Sequence, residues 1–310
     1  MSYSVFVDGE AGTTGLDVLR RLEARGDLEL ILLGDRRRDV EARREALNGA
    51  DAVILCLPDD AAKEAVAMID NPAVRVIDAS TAYRVDPAWT YGFAEMTAGQ
   101  AGRIAGATRV SNPGCYPTGF IGLVRPLVSA GIIPAGWPVT VNAVSGYSGG
   151  GKAMIAEFET GGAGAFRAYG LSLKHKHVPE MTLHTGLERP VLFAPAVAAY
   201  RQGMLVEVPL QLGALSGSPS VEVVHGALAE AYADCRFVEV VELEESEAMT
   251  GIDPEGLNGT NRMRLHVFGD RAGEQVRLVA LLDNLGKGAS GAAVQNLNLM
   301  LGLGEGTGLG

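Results

Sequence analysis

Glycine recurs at every third position in Gly9-Glu10-Ala11-Gly12-Thr13-Thr14-Gly15, directly after an apolar run at residues 3–8 and directly before helical spacing at 16–22. A strand that turns this tightly into a helix leaves room at the turn for backbone alone. The free N–H groups of the helix start then face an anion such as a pyrophosphate. The spacing is G-x-x-G-x-x-G and not the usual G-x-G-x-x-G of a dinucleotide fingerprint, so the motif by itself also suits an ordinary turn. The neighbouring segments narrow the choice. Residues 28–33, 52–57 and 74–77 read as buried strands separated by charged helical stretches, an order that predicts right-handed βαβ crossovers and a mostly parallel sheet. The expected fold class is α/β, with a Rossmann-type parallel-sheet domain at the start of the chain.

The second strand pattern runs into Gly34-Asp35-Arg36-Arg37-Arg38. An acidic residue here favours the free ribose hydroxyl of NAD, whereas adjacent arginines favour the 2′-phosphate of NADP. Consecutive guanidinium groups offer charge-assisted, bidentate contacts to a phosphate. Arg36 and Arg37 therefore point to NADP(H), against the alternative of a merely solvated basic face.

With 310 residues, 47% of them hydrophobic, the chain has enough apolar material for two cores. No apolar run approaches the roughly 18 residues of a membrane span, so no membrane partner is expected. A net charge of −11 makes a nucleic-acid partner unfavourable. Three cysteines without paired spacing argue against a disulfide framework or a zinc ribbon and suit a reducing, cytoplasmic setting. No metal is expected, because no cysteine or carboxylate cluster stands at ligand spacing near the histidines.

Of the three cysteines, Cys115 stands apart. It lies in Ser111-Asn112-Pro113-Gly114-Cys115-Tyr116-Pro117-Thr118-Gly119, where Asn-Pro-Gly breaks the preceding segment and Pro117 suits a first helical turn. Helix-start N–H groups and the helix dipole favour a thiolate there. Cys56, inside an apolar run, and Cys235 carry no such turn and read as small buried hydrophobes. A nucleophilic thiol needs an acid or base, and Lys174-His175-Lys176-His177-Val178-Pro179-Glu180 is the richest histidine site. Beyond Cys115, strand patterns at 139–144, 191–197, 204–212, 236–241, 263–268 and 276–282 predict an α+β domain with a largely antiparallel sheet. A final helical pattern at 292–301 comes after a glycine-rich loop.

Several motifs in order resemble one family. They are the nonapeptide around Cys115, Ser145-Gly146-Tyr147-Ser148-Gly149-Gly150-Gly151-Lys152, the histidine motif through Glu180, and Asn284-Leu285-Gly286-Lys287-Gly288. Together they resemble the short form of the N-acetyl-gamma-glutamyl-phosphate reductases, of the aspartate-semialdehyde dehydrogenase superfamily, over essentially the whole chain. The resemblance implies an NADP-dependent enzyme of arginine biosynthesis, acting on a small acyl phosphate with release of inorganic phosphate. It also implies self-association as a dimer or tetramer. Residues 1–114 with 285–310 would form the NADP-binding domain, and 115–284 the catalytic and self-association domain. Cys115 matches the catalytic cysteine, and His177 is the expected acid/base, with His175 as the other candidate and a substrate contact. Arg84 matches a position that holds substrate phosphate, and Ser145 and Gly146 would lie beside the acyl chain. Gly9, Gly12, Thr13, Thr14 and Gly15 match the pyrophosphate turn; Asn284, Gly286, Lys287 and Gly288 match a loop near the nicotinamide. One departure is visible: Ala94 stands where the family pattern has proline. Reductases of aspartyl or aminoadipyl phosphate share the same reacting carbon, and a Cys–His acyltransferase would use Cys115 without a nicotinamide.

Overall fold

A computed structural model describes residues 2–269 and 273–310. The chain divides into two compact units. One comprises the segment ending at Ala94, Gly99–Gly114 and Ala289–Gly310; the other comprises Glu95–Ala98 and Cys115–Gly288. Residues 285–288, expected with the nucleotide-binding unit, thus fall in the second, where Leu285 and Gly288 are tied to Asp283 and Lys287 to Glu95.

In the first unit the alternation read from sequence becomes β1 (Tyr3–Asp8), α1 (Thr13–Leu22), β2 (Leu28–Ile31), α2 (Val40–Gly49), β3 (Ala52–Leu55), α3 (Asp59–Ala67) and β4 (Arg75–Asp78). Two short strands, β5 (Thr90–Tyr91) and β6 (Arg109–Ser111), flank α4 (Gln100–Gly106) and are too brief to leave an apolar pattern. The sheet order is β2-β1-β3-β4-β6-β5, parallel throughout. Every residue of β3 is buried, which is why it reads as an unbroken apolar run instead of an alternating one. Val5, Ile54 and Ile77 pack with Val294 and Leu297 of the C-terminal helix Gly291–Met300; Phe6, Val53 and Val76 pack with Ala46 and Leu47 of α2.

The second unit opens with α5 (Cys115–Ser129), then β7 (Thr140–Gly146), α6 (Gly151–Glu159), β8 (Phe166–Ala168) and α7 (Val178–Thr185). It continues through β9 (Leu192–Ala198), β10 (Met204–Gln211), α8 (Val221–Tyr232), β11 (Val238–Val240), α9 (Leu243–Ala248), β12 (Met263–Gly269) and β13 (Gln275–Leu282). The sheet order is β11-β12-β13-β10-β7-β9-β8. Its centre, β12 through β7, is antiparallel as expected, while β7–β9 and β11–β12 are parallel pairs. Among the described residues no helix is long and apolar enough to cross a membrane.

Candidate active site

In the first unit, the glycine turn is built on close backbone approach. Gly9 has φ +89°, and a Cβ there would lie 2.3 Å from the carbonyl oxygen of Cys56; a Cβ on Gly15 would lie 2.3 Å from the carbonyl oxygen of Gly9. The Gly12 N–H donates to the Gly9 carbonyl at 2.9 Å, and no described side chain caps the start of α1. The N–H groups at Thr13, Thr14 and Gly15 thus stand at an uncapped, positive helix end, the arrangement that accepts a phosphate.

Beside this turn lies a cleft of about 270 Å³ whose wall includes Asp8, Gly9, Ala11, Arg37, Arg38 and Arg43. Arg43 donates from Nε to Asp8 at 2.7 Å. Arg36 is not part of that wall: it is 64% exposed and its guanidinium lies 3.7 Å from Asp39, which accepts the Glu41 and Ala42 N–H groups at the start of α2. Of the two arginines expected at the cofactor, Arg37 lines the cleft and Arg36 does not. Arg43 carried no signal of its own in sequence, because only the packing of α2 beside β1 brings its charge to the cleft. A tight glycine turn, an uncapped helix start and three guanidinium groups fit a dinucleotide with an additional phosphate.

Arg84 also belongs to this unit. It is buried, donating from Nε to the Asn112 carbonyl at 2.9 Å and from Nη2 to the Ala79 carbonyl at 3.0 Å. Burial pushes the nearby Asp78 carboxyl up, opposed by hydrogen bonds from Ser80 and by the Arg84 charge. Cys56 is also accounted for here: burial, with Asp78 and Asp8 beside it, pushes its thiol up to about 12, so it is no nucleophile at neutral pH.

In the second unit, Cys115 is the first residue of α5 and is partly exposed. Two tyrosines share its electrostatic surroundings. Burial pushes the Tyr116 phenol well above its usual range and the Tyr169 phenol up to about 12, and a charge on Cys115 adds to both shifts. Both phenols therefore keep their protons. Tyr169 donates to the Tyr116 oxygen at 3.1 Å, and Tyr116 donates to the Ala196 carbonyl at 3.0 Å.

The two histidines differ in a way the sequence left open. Nδ1 of His175 accepts the backbone N–H of His177 at 3.1 Å, which places the ring proton on Nε2. Burial, with Lys176 adding to it, lowers the His175 pKa to about 4. His175 is thus a neutral ring that can donate from Nε2. His177 is buried at the start of α7, its ring 4.7 Å from His175 and 5.9 Å from Tyr116, with Nε2 3.9 Å from a Glu180 carboxyl oxygen. Glu180 was part of the histidine motif without an assigned role. Its signal was the three-residue spacing that puts positions 177 and 180 on one side of a helix start.

The other expected residues lie at the end of β7 and in the segment after β13. Ser145 and Gly146 end β7, buried, with the Ser145 hydroxyl donating to the Gly146 carbonyl at 3.0 Å. Asn284 accepts the Gly203 N–H at 2.8 Å and donates to the Ser148 hydroxyl at 2.9 Å. Lys287 donates to both carboxylate oxygens of Glu95 at 2.7 Å. These side-chain contacts all lie inside the second unit. Gly288 abuts Cys115, since a Cβ there would lie 2.7 Å from Cβ of Cys115.

An arginine-lined cleft beside a glycine turn in one unit and a thiol with histidines in the other agree with what the chain is similar to. The semialdehyde dehydrogenase NAD binding domain matches residues 4–103, and the semialdehyde dehydrogenase dimerisation domain matches residues 115–284. The N-acetyl-gamma-glutamyl-phosphate reductase of Burkholderia lata is 55% identical over 303 residues, 96% of each chain. The chain belongs to the N-acetyl-gamma-glutamyl-phosphate reductase family. The Brucella ovis reductase is 56% identical over 309 residues, 97% of this chain and 100% of that one. The fold extends beyond these reductases. Aspartate semialdehyde dehydrogenase II of Vibrio cholerae superposes with a TM-score of 0.70 at 16% identity, covering 97% of this chain and 99% of that chain. The Candida albicans aspartate semialdehyde dehydrogenase, solved with NADP, gives 0.63 at 14% identity, covering 97% of this chain and 99% of that chain.

Proposed function

We propose that this chain reduces N-acetyl-glutamyl 5-phosphate to N-acetyl-glutamate 5-semialdehyde with NADPH, releasing inorganic phosphate, as a step of arginine biosynthesis. The observation that carries the chemistry is Cys115 at the head of α5, with the electrostatic influence of its charge reaching two protonated tyrosines. Cys115 gives up its proton and attacks the acyl-phosphate carbon; the carbon–oxygen bond to phosphate breaks and a thioester remains on the sulfur. Thiolate suits both ends of the sequence, being a good nucleophile and a good leaving group. NADPH, when bound, supplies the hydride that reduces the thioester carbonyl. Cys115 then leaves from the resulting hemithioacetal as the aldehyde forms, and backbone N–H groups at the start of α5 steady the oxyanion.

His177 is the acid/base in this reading. The thiol proton moves to its ring, beside Glu180, and returns when sulfur is released. His175, neutral with its proton on Nε2, serves as a hydrogen-bond donor to substrate. Its folded-state pKa of about 4 lies below the ordinary 6.5, so the unfolded chain takes up that proton first as pH falls. Its contribution to stability is therefore complete above about pH 6.5 and declines toward pH 4. In a pH–rate profile, His175→Gln is expected to leave the acidic limb in place while His177→Gln removes it. A limb that disappears with His175 would reverse the assignment.

The cofactor cleft supports NADPH over NADH through Arg37 and Arg38. A charge-assisted contact contributes about 1.5–3 kcal/mol, so Arg37→Met is expected to weaken NADPH roughly 10–150-fold and NADH little. Arg36→Met should change neither by more than about twofold, because Arg36 stands outside the cleft wall, beside Asp39. Nucleotide-fluorescence titration checks both. Equal losses for the two nucleotides in Arg37→Met would move the 2′-phosphate elsewhere.

Self-association through the second unit has support in its exposed sheet face. By strand register Leu192 and Phe166 lie opposite Val206, the side that α5 covers, and both are exposed. Relative turnover of N-acetyl-glutamyl, aspartyl and aminoadipyl phosphates, followed at 340 nm, tests the substrate. Faster turnover of either rival would replace it.

A further inference from the structure

Lys287 and Glu95 form an ion pair of a kind that stability alone does not account for. Their side chains are 1% and 5% exposed, and the Lys287 ammonium lies 2.7 Å from each carboxylate oxygen and 5.6 Å from the centre of the Phe237 ring. Removing two charges from water costs about as much as their attraction returns, and apolar replacement of such a pair is often neutral or stabilising. What the pair does supply is direction. One ammonium held by two oxygens fixes the course of a long side chain, and with it the backbone that carries it.

That backbone is a π-helical turn, Gly286–Ser290, a rare geometry that is frequent at functional sites. Gly288, the residue after Lys287, lies against Cys115, where a Cβ would come within 2.7 Å of Cβ and 3.2 Å of Cα. The turn is anchored on its other side by Asp283. Its carbonyl accepts the Gly288 N–H at 2.9 Å, while its carboxylate accepts from the Leu285 and Gly259 N–H groups and from the Gln202 amide. Glu95 is drawn into the same structure: of the residues before Cys115, only Glu95–Ala98 belong to the second unit.

We infer that Glu95 and Lys287 are a positioning pair that holds the π-turn so that Gly288 bears on Cys115 and fixes the direction of its sulfur. This rests on the reading of Cys115 as the nucleophile. In this role the pair acts through Gly288 and not on a reacting atom itself.

The test uses the full chain as wild type, Glu95→Asp, Glu95→Gln, Lys287→Met and the double variant Glu95→Gln, Lys287→Met. Thermal midpoint, kcat, KM for the acyl phosphate and the pH profile of Cys115 alkylation by iodoacetamide, read on the Cys115 peptide, are measured for each. Lys287→Met should lower the thermal midpoint, because a buried carboxylate loses its partner. The double variant should recover most of that loss yet keep kcat roughly tenfold or more below wild type, with KM within about threefold, because a misplaced nucleophile costs rate more than binding. Its alkylation midpoint should also move. Glu95→Asp, which keeps both charges and shortens the carboxylate, should lower kcat in a stably folded chain. Wild-type kcat and alkylation profile in either the double variant or Glu95→Asp would overturn the inference, as would activity losses that track the thermal midpoint with an unchanged alkylation profile. The underlying reading fails separately: it is wrong if complete alkylation of wild-type Cys115 leaves NADPH consumption intact.

Discussion

Cys115→Ser is expected to lower turnover by about four orders of magnitude or more while NADPH affinity stays near wild type. Single removal of a nucleophile typically costs about that much, because every later step depends on the covalent intermediate it forms. Serine preserves size and the first turn of α5, but its hydroxyl ionises far too weakly to attack an acyl phosphate without strong activation. The residues that line the cleft proposed for the cofactor belong to the first unit and Cys115 to the second, which is why binding and turnover should separate. Fluorescence titration of NADPH checks the first half of the expectation and absorbance at 340 nm the second. Activity within about tenfold of wild type would rule out thioester chemistry, since no other described cysteine can replace it: Cys56 has its thiol pushed up to about 12, and Cys235 lies outside the helix starts.

In the reverse direction, oxidation of the semialdehyde should require phosphate or arsenate. In the proposed chemistry, hydride loss leaves an acyl group on Cys115, and an oxyanion must attack the thioester to free the sulfur. Without phosphate, NADPH should appear as a burst no larger than the enzyme concentration and then nearly stop. Arg84→Ala should raise the phosphate concentration needed for sustained turnover without reducing the burst, as expected if the guanidinium serves the phosphate and not the thiol. Arg84 is buried and two of its nitrogens already bond backbone carbonyls, so a thermal melt of the variant accompanies the kinetics. Sustained NADPH formation without phosphate would mean that water deacylates the enzyme, making it a hydrolytic aldehyde dehydrogenase and removing both Arg84 and the acyl phosphate from the proposal.

The architecture was legible wherever one local pattern had one structural outcome. The glycine turn between residues 9 and 15, the buried strands of the first unit and the helix start at Cys115 all lie where the chain's own periodicity placed them. β5, β6 and β8 were not legible, being two or three residues long and held by neighbours instead of by their own pattern. Residues 285–288 carried a glycine-rich loop signal, but they are grouped with the second unit, where Lys287 is bonded to Glu95, 192 positions away, which no local window contains.

By itself the sequence determined the chemistry available to this protein: a thiol at a helix start, a glycine turn for a phosphate, basic groups after the second strand and a histidine pair. These arise from short-range backbone rules that act within a few residues. Tertiary structure alone decided the surroundings of each member of these sets. Arg37 lines the cleft while Arg36 turns to Asp39, and His175 is held neutral through its Nδ1 bond and its burial, leaving His177 beside Glu180. Lys287 is spent on Glu95, 192 positions away. Hydrogen-bond partners and desolvation set side-chain direction and charge, and both depend on residues that only folding brings into contact.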